Sequence, residues 1–362
     1  MKTTIAVALS GGVDSLVAAH LLHQQGHTVI GLHFCTGFET AVCKHSEDKS
    51  LLVQARGRLA PIARQLKIPI KVFDFKEIFQ HNIVDYFVNT YQLGQTPNPC
   101  LVCNPIIKFD FLAKQARKLG AKGLATGHYA CRRQNKQGLW QLYKGIDPKK
   151  DQSYFLARLT QDQLAFARFP LGNMAKQDTI DLAQKTGLHP ITKQESQDIC
   201  FIANKDYSEF LTHQPGFRFA PGPIVDINGK VIGTHPGLHR FTIGQRRGIN
   251  CPAAEPYYVV RLVPKRNCLV VGFKNDLYSL GCNVTRINWI NAAPSRAFNA
   301  KIRVRYRHKE VAAEITPVNA SNAMVRFENP QKAITPGQGA VFYQDDLVLG
   351  GGWITEKFAR LS

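Results

Sequence analysis

Three cysteines and a pair of glycines carry most of the chemistry this sequence offers. Cys100 and Cys103 stand three residues apart in "TPNPCLVCNP", a segment stiffened by Pro97, Pro99 and Pro105. Such a pair is either half of a metal site or a nucleophile with a neighbouring thiol. A third cysteine, Cys200, follows Cys103 by 97 positions in "SQDICFI". Taken singly, a cysteine beside apolar residues reads as a small core hydrophobe. No second Cys-x-x-Cys exists to complete a closed zinc site. The glycines lie in "ALSGGVDSLVAAHLL", where Gly11 and Gly12 let the backbone turn tightly and approach a ligand closely. Ser10 and Ser15 add hydroxyls, and the following helix start offers free amides to a phosphate. Asp14 either caps the turn or holds Mg2+ on phosphates. No Gly-Lys-Ser/Thr follows and the spacing is not Gly-x-Gly-x-x-Gly, so neither common phosphate loop is present.

Positioning these groups requires a scaffold, and the first half of the chain supplies its pattern. "TTIAVALS", "HTVIGLHF", "PIKVFDF" and "KGLATGHY" read as strands. Between them "LVAAHLLHQQG", "LLVQARGRLAPIARQLKI", interrupted by a proline, and "FLAKQARKLG" read as helices. Such alternation predicts a doubly wound parallel α/β sheet with its ligand beyond the carboxyl ends of the strands. After about residue 205, Gly and Pro become dense and short β-like runs replace helices. The last 80 residues or so alternate with period two, which predicts a small antiparallel β-barrel. The expected domains are 1–205, 206–282 and 283–362.

The net charge of +20 spreads as +11, +4 and +5 over those three segments, so no basic tail accounts for it. A polyanionic partner explains the excess better than a small-molecule substrate does. In "KIRVRYRHK", Lys301, Arg303, Arg305 and Arg307 are expected on one face of a strand as a phosphate track. Arg246 and Arg247 in "FTIGQRRGI" either contact RNA or lie in a plain connection. Nine cysteines without small-domain spacing suggest mostly buried thiols in a reducing compartment. No run approaches the ~18–20 apolar residues of a membrane span, and the N-terminus lacks a convincing signal peptide. The expected location is cytoplasmic, with no membrane partner.

"SGGVDS" after a strand resembles the PP-loop of the ATP pyrophosphatases, whose domain is adenine nucleotide α-hydrolase-like. That resemblance implies ATP and Mg2+, with Ala8, Leu9, Ser10, Gly11, Gly12, Val13, Asp14 and Ser15 at the phosphates. Phe34 and Gly127 would frame the adenosine. "TPNPCLVCNPIIKF", "ATGHYA", "DPKKDQSYFL", "SQDICFI", "PGLHRFTIGQRRGI", "TPGQGAVFY" and "LGGGWI" in this order resemble the tRNA-specific 2-thiouridylase family (MnmA type).

The family resemblance implies ATP-dependent 2-thiolation of the wobble uridine of tRNA, a sulfurtransferase reaction. Cys200 would carry a persulfide from a sulfur-donor protein, a cysteine desulfurase or relay. Cys103, the nucleophile, would free the sulfur and end in a Cys103–Cys200 disulfide that needs a reductant. Asn98, Pro99 and Cys100 match the positions at the target base; His128, Lys150, Asp151, Gln152, Arg305, Tyr306 and Gln338 match tRNA contacts. Many members have aspartate at Cys100, so that carboxylate's role does not carry over. The alternative for Cys100, Cys103 and Cys200 is a [4Fe–4S] cluster, as in related RNA-thiolating enzymes. Two rival functions remain, a PP-loop ligase or amidotransferase and a non-catalytic tRNA-binding protein.

Overall fold

The computed structural model describes residues 3–39, 51–192, 199–202 and 206–358. Cys43 and the Ser196–Asp198 part of the "SQDICFI" block lie outside them. Two compact units divide the chain: 1–83, 100–203 and 346–349 form one, 84–99, 204–345 and 350–362 the other.

The first unit starts with β1 (Thr4–Ala8), α1 (Val13–Gln24) and β2 (Thr28–Cys35), followed by α2 (Leu51–Leu66) and β3 (Ile70–Asp74). β1 buries Ile5, Ala6 and Val7 in succession, as a strand covered on both faces does. α2 buries Ala55, Leu59, Ile62 and Leu66 as a stripe at helical spacing. The expected interruption at Pro61 does not occur; the helix runs through it. Pro61 is exposed, and the carbonyl it leaves unpaired belongs to exposed Gly57, where water can satisfy it. α3 (Lys76–Phe79) leads into a π-helical turn at Gln80–Val84, and α4 (Asp85–Gln92) belongs to the second unit.

α5 (Pro99–Cys103) continues into a π-helix over Asn104–Leu112 and then α6 (Ala113–Lys118). The strand expected at "KGLATGHY" is only β4 (Leu124–Ala125), after which the chain enters the hairpin β5 (Ala130–Gln134) and β6 (Trp140–Lys144). Next come α7 (Ser153–Leu156), α8 (Gln161–Phe166), β7 (Ala167–Arg168) and α9 (Lys176–Lys185). The parallel sheet runs β3-β2-β1-β4-β7, so the loops after β1, β2 and β4 open at one edge, as expected of a doubly wound fold. Ile5, Val7, Leu16, Val17, Leu59 and Ile62 anchor its core.

The second unit holds α10 (Tyr207–Thr212) and a mixed four-stranded sheet. Its strands are β8 (Gly222–Val225), β9 (Val231–His235), β10 (Tyr258–Val263) and β11 (Cys268–Gly272), in the order β10-β11-β8-β9. Six further strands follow: β12 (Tyr278–Trp289), β13 (Phe298–Arg303), β14 (Val311–Asn319), β15 (Asn322–Lys332), β16 (Gly339–Gln344) and β17 (Leu347–Lys357). Pairing of β12 with both β15 and β17 closes them into the expected antiparallel barrel. Closure removes the exposed edges.

The cation track on one strand needs correction. β13 stops at Arg303, and residues 304–308 form a turn closed by His308 N–H donating to the Arg305 carbonyl. Only the inward half of the alternation survives, with Ile302 and Val304 buried. Arg303 donates to Glu310 at 2.7 Å, and the Arg305 guanidinium turns back onto the carbonyls of Ile243 and Ala333 and the Thr335 hydroxyl. Arg305 thus spends its donors on carbonyls outside the turn, and Arg303 on a carboxylate.

Candidate active site

β1 ends at the loop Ser10-Gly11-Gly12, and Gly11 adopts φ +89°, a left-handed conformation that favours glycine. Gly12 is the residue before α1 and makes no side-chain cap, which leaves the first helical amides facing the loop. Ser15 Oγ donates to the Gly12 carbonyl at 2.9 Å and accepts from the Ser10 amide at 3.3 Å. The Gly11 carbonyl is pulled away from the cradle by the amides of Ile191 and Thr192, at 2.9 and 3.3 Å. Beneath the loop, the buried ring of His33 donates from Nδ1 to the Leu9 carbonyl at 2.7 Å. Burial lowers the His33 pKa and keeps the ring neutral.

Asp14 is engaged in a network the sequence did not reveal. Its Oδ1 accepts from Lys176 Nζ and from the Tyr129 hydroxyl, both at 2.7 Å, and that hydroxyl lies 3.1 Å from Thr179 Oγ1. Lys176 is 8 % exposed, a buried cation on α9 brought to the first turn of α1. A Cβ at Gly127 would stand 2.8 Å from the Asp14 carbonyl carbon and 2.9 Å from the Ser15 amide. Glycine is therefore what lets the segment after β4 lie against the phosphate loop. Phe34, half-buried at the end of β2, stacks on Phe75 at 5.6 Å between ring centres.

Cys100 and Cys103 occupy one turn of α5, and the helix after them is tied to other segments by hydrogen bonds. Asn104 donates to the Phe155 carbonyl at 3.1 Å, and Gln163 donates to the Pro105 carbonyl at 2.7 Å. Cys200 is held through its neighbour Phe201, whose ring packs edge-on against Phe38 and Phe79. All three cysteines are free thiols. Burial pushes the Cys100 thiol up to about 11 and Cys103 to about 12. Cys200 keeps an exposed edge, but surrounding protein still raises its pKa. The three thiols are near enough to influence one another electrostatically, and Lys108 opposes the upward shift at each. Glu39 adds to it at Cys200; its carboxylate accepts from the amides of Thr36 and Gly37.

Among the described residues, no three His, Cys, Asp or Glu side chains converge as a metal-binding group. The [4Fe–4S] alternative for the three cysteines therefore finds no preformed donor set. Also among the described residues, no helix is long and apolar enough to cross a membrane.

The residues matched to tRNA are placed unequally. His128 is buried and shares a 2.7 Å hydrogen bond with the Thr126 hydroxyl. Burial, then Lys108, holds its pKa well below the ordinary value, so it meets a partner as a neutral ring. Asp151 is 3 % exposed; its carboxylate accepts from the amides of Gly145 and Ser153 and from the Ser153 hydroxyl. That carboxylate holds the turn between Gly145 and Ser153. Gln152 accepts from the Tyr129 amide, while Lys150 stays half-buried beside exposed Lys149.

In the second unit, Gln338 donates to the carbonyls of Thr96 and Pro97, at 3.1 and 3.0 Å. Asn98 is buried, and its amide donates to the Tyr86 hydroxyl at 3.2 Å. Pro99 follows it, Tyr306 is half-buried in the turn after β13, and Arg246 and Arg247 are exposed in their loop.

A family model described as "tRNA methyl transferase HUP domain" matches residues 3–204, a PRC-barrel model 208–273 and an aminomethyltransferase β-barrel model 279–354. The tRNA-specific 2-thiouridylase MnmA of Desulfosudis oleivorans is 50 % identical over 350 residues, covering 97 % of this chain and 94 % of the relative. That of Geotalea uraniireducens is 47 % identical over 357 residues, covering 98 % and 95 %. The chain belongs to the tRNA-specific 2-thiouridylase family. Against solved structures, this 2-thiouridylase-family chain matches a predicted tRNA methyltransferase subunit from Methanocaldococcus jannaschii at 15 % identity and TM-score 0.31. That match covers 50 % of this chain and 74 % of the other. For a 2-thiouridylase, the residues that sequence reading missed are Lys176, Tyr129 and Lys108. The first two lie 162 and 115 positions from the aspartate they hold, so no local signal marks them.

Proposed function

We propose that the chain is an ATP-dependent tRNA 2-thiouridylase that exchanges the C2 oxygen of the wobble uridine for sulfur. The observation that carries the reading is a phosphate cradle and three mutually interacting thiols built into one unit. Full-length likeness to 2-thiouridylases supports it. ATP bound at the cradle would supply the α-phosphorus that the uridine oxygen attacks, and Mg2+ on its phosphates would offset the charge of the pyrophosphate that leaves. Amides at Gly11 to Ser15 would hold the phosphates, and Lys176 stands beside them as a cation.

The uncatalysed exchange fails because the oxygen is a poor leaving group; as an adenylate it departs with AMP. A persulfide on Cys200, delivered by a sulfur-donor protein, attacks C2 with its terminal sulfur. Cys103 then attacks Cys200 Sγ, its proton passing to the departing base, which breaks the sulfur–sulfur bond, releases 2-thiouridine and forms a Cys103–Cys200 disulfide. A cellular dithiol reduces that disulfide. The raised pKa of Cys103 has a use here: a protonated thiol does not discharge the persulfide early, since the thiolate is the attacking form. Cys100, pushed to about 11, stays protonated at neutral pH and cannot replace a carboxylate as base. We assign the domains as 1–205, 206–282 and 283–362, the location as cytoplasmic, and the tRNA-facing charge to Lys149 and Lys150 with the basic barrel.

Pyrophosphate release and 2-thiouridine formation, measured on unmodified tRNA with Cys200→Ala alongside, test the proposal. The expected result is tRNA-dependent pyrophosphate release in both proteins and thiolation only in the unsubstituted one. Pyrophosphate release indifferent to tRNA would favour a ligase, and normal thiolation by Cys200→Ala would end the persulfide route.

A further inference from the structure

Lys108 is half-buried and, among the described residues, pairs with no carboxylate. Lys114, Lys144 and Lys176 of the same unit have Asp110, Asp346 and Asp14. Taking an ammonium partly out of water without an opposing charge is costly, so an anion should complete the arrangement.

Helix geometry identifies that anion. At 100° per residue, an α-helix would set positions 103 and 108 roughly 140° apart, on nearly opposite faces. The chain instead turns as a π-helix from Asn104 to Leu112, with Cys103 at its head. An i→i+5 turn brings residue 108 back under residue 103. The thiols Cys100, Cys103 and Cys200 and the ring of His128 all feel the Lys108 charge. Glu39 acts oppositely on Cys200, and the thiols act against one another. No other cation stands among the main influences on these three sulfurs.

We propose that Lys108 is the shared counter-cation of the thiol cluster, a positioning residue for the sulfur anions that transfer passes through. The inference rests on the proposed sulfur chemistry. It also explains why the helix after Cys103 is widened: an α-helical turn would carry the ammonium away from the sulfurs.

Alkylation of the reduced full-length protein by iodoacetamide, followed peptide by peptide across pH, reads the sulfur anions without tRNA or ATP. It can therefore fail independently of the tRNA reaction. With Lys108→Met, the Cys103 and Cys200 profiles are expected to shift to about ten-fold slower alkylation at any given pH near 8. Lys108→Arg should restore most of the shift, and Cys251, whose raised pKa owes nothing to Lys108, should not move. Circular dichroism identifies a misfolded Met variant, in which case Lys108→Gln is read instead. Unchanged Cys103 and Cys200 profiles in a folded neutral variant, or equal shifts with Arg and Met, would overturn the assignment.

Discussion

At Asp14, one carboxylate oxygen serves both a buried ammonium and a phenol, so this side chain joins α1, α9 and Tyr129. Asp14→Ala strands the Lys176 charge and should cost about 1–3 kcal/mol, below a fully buried pair because Asp14 is partly solvated. A lower denaturant midpoint at unchanged m-value is the expected signature. His128 gives a prediction in pH. Its folded pKa lies well below the ordinary 6.5, so native and unfolded states are both neutral above that value. As pH falls through it, the unfolded chain takes up a proton that the native ring refuses, and stability is lost. His33, His235 and His239 push in the same direction. His128→Gln should remove at most about 1.4 kcal/mol per pH unit from the acid slope, read from urea midpoints between about pH 5 and 7.5.

Elements succeed or fail here by where they stop. β4 is two residues long, which lets Gly127 settle on the first turn of α1. Gly127→Ala places a methyl inside backbone contact distance and must lift one segment off the other. The expected outcome is a folded protein with ATP binding weakened ~10-fold or more, measured by equilibrium dialysis, because the cradle rather than the core is displaced. β13 ends early as well, and the turn after Arg303 sends the Arg305 guanidinium back onto the carbonyls of Ile243 and Ala333. Period-two alternation in "KIRVRYRHK" sets Ile302, Val304 and Tyr306 opposite the cations; Ile302 and Val304 are buried, while Tyr306, in the turn, is half-buried. It carried no information on whether the outward arginines meet solvent or fold back.

Over the whole molecule, a charge of +20 makes salt the natural probe of polyanion binding. Affinity for tRNA should fall steeply with salt, and Lys150→Ala should flatten the slope of log K against log salt by ~0.7–0.9. Arg305→Ala should instead lower stability with little change in slope, since its guanidinium is occupied by the carbonyls of Ile243 and Ala333. Titrations at several salt concentrations distinguish the two.

Local physics was readable in the chain. Two adjacent glycines between a strand and a helix make a phosphate cradle, and alternating elements make a parallel sheet, because both depend on a few neighbouring residues. Apolar periodicity likewise foretold the closed barrel. Tertiary structure alone decided the rest. It set Lys176 on Asp14 across 162 positions, turned Asp151 inward, and made the helix after Cys103 a π-helix that swings Lys108 toward the sulfurs. These outcomes follow from packing and from the satisfaction of distant backbone groups, which leave no periodic trace in the sequence.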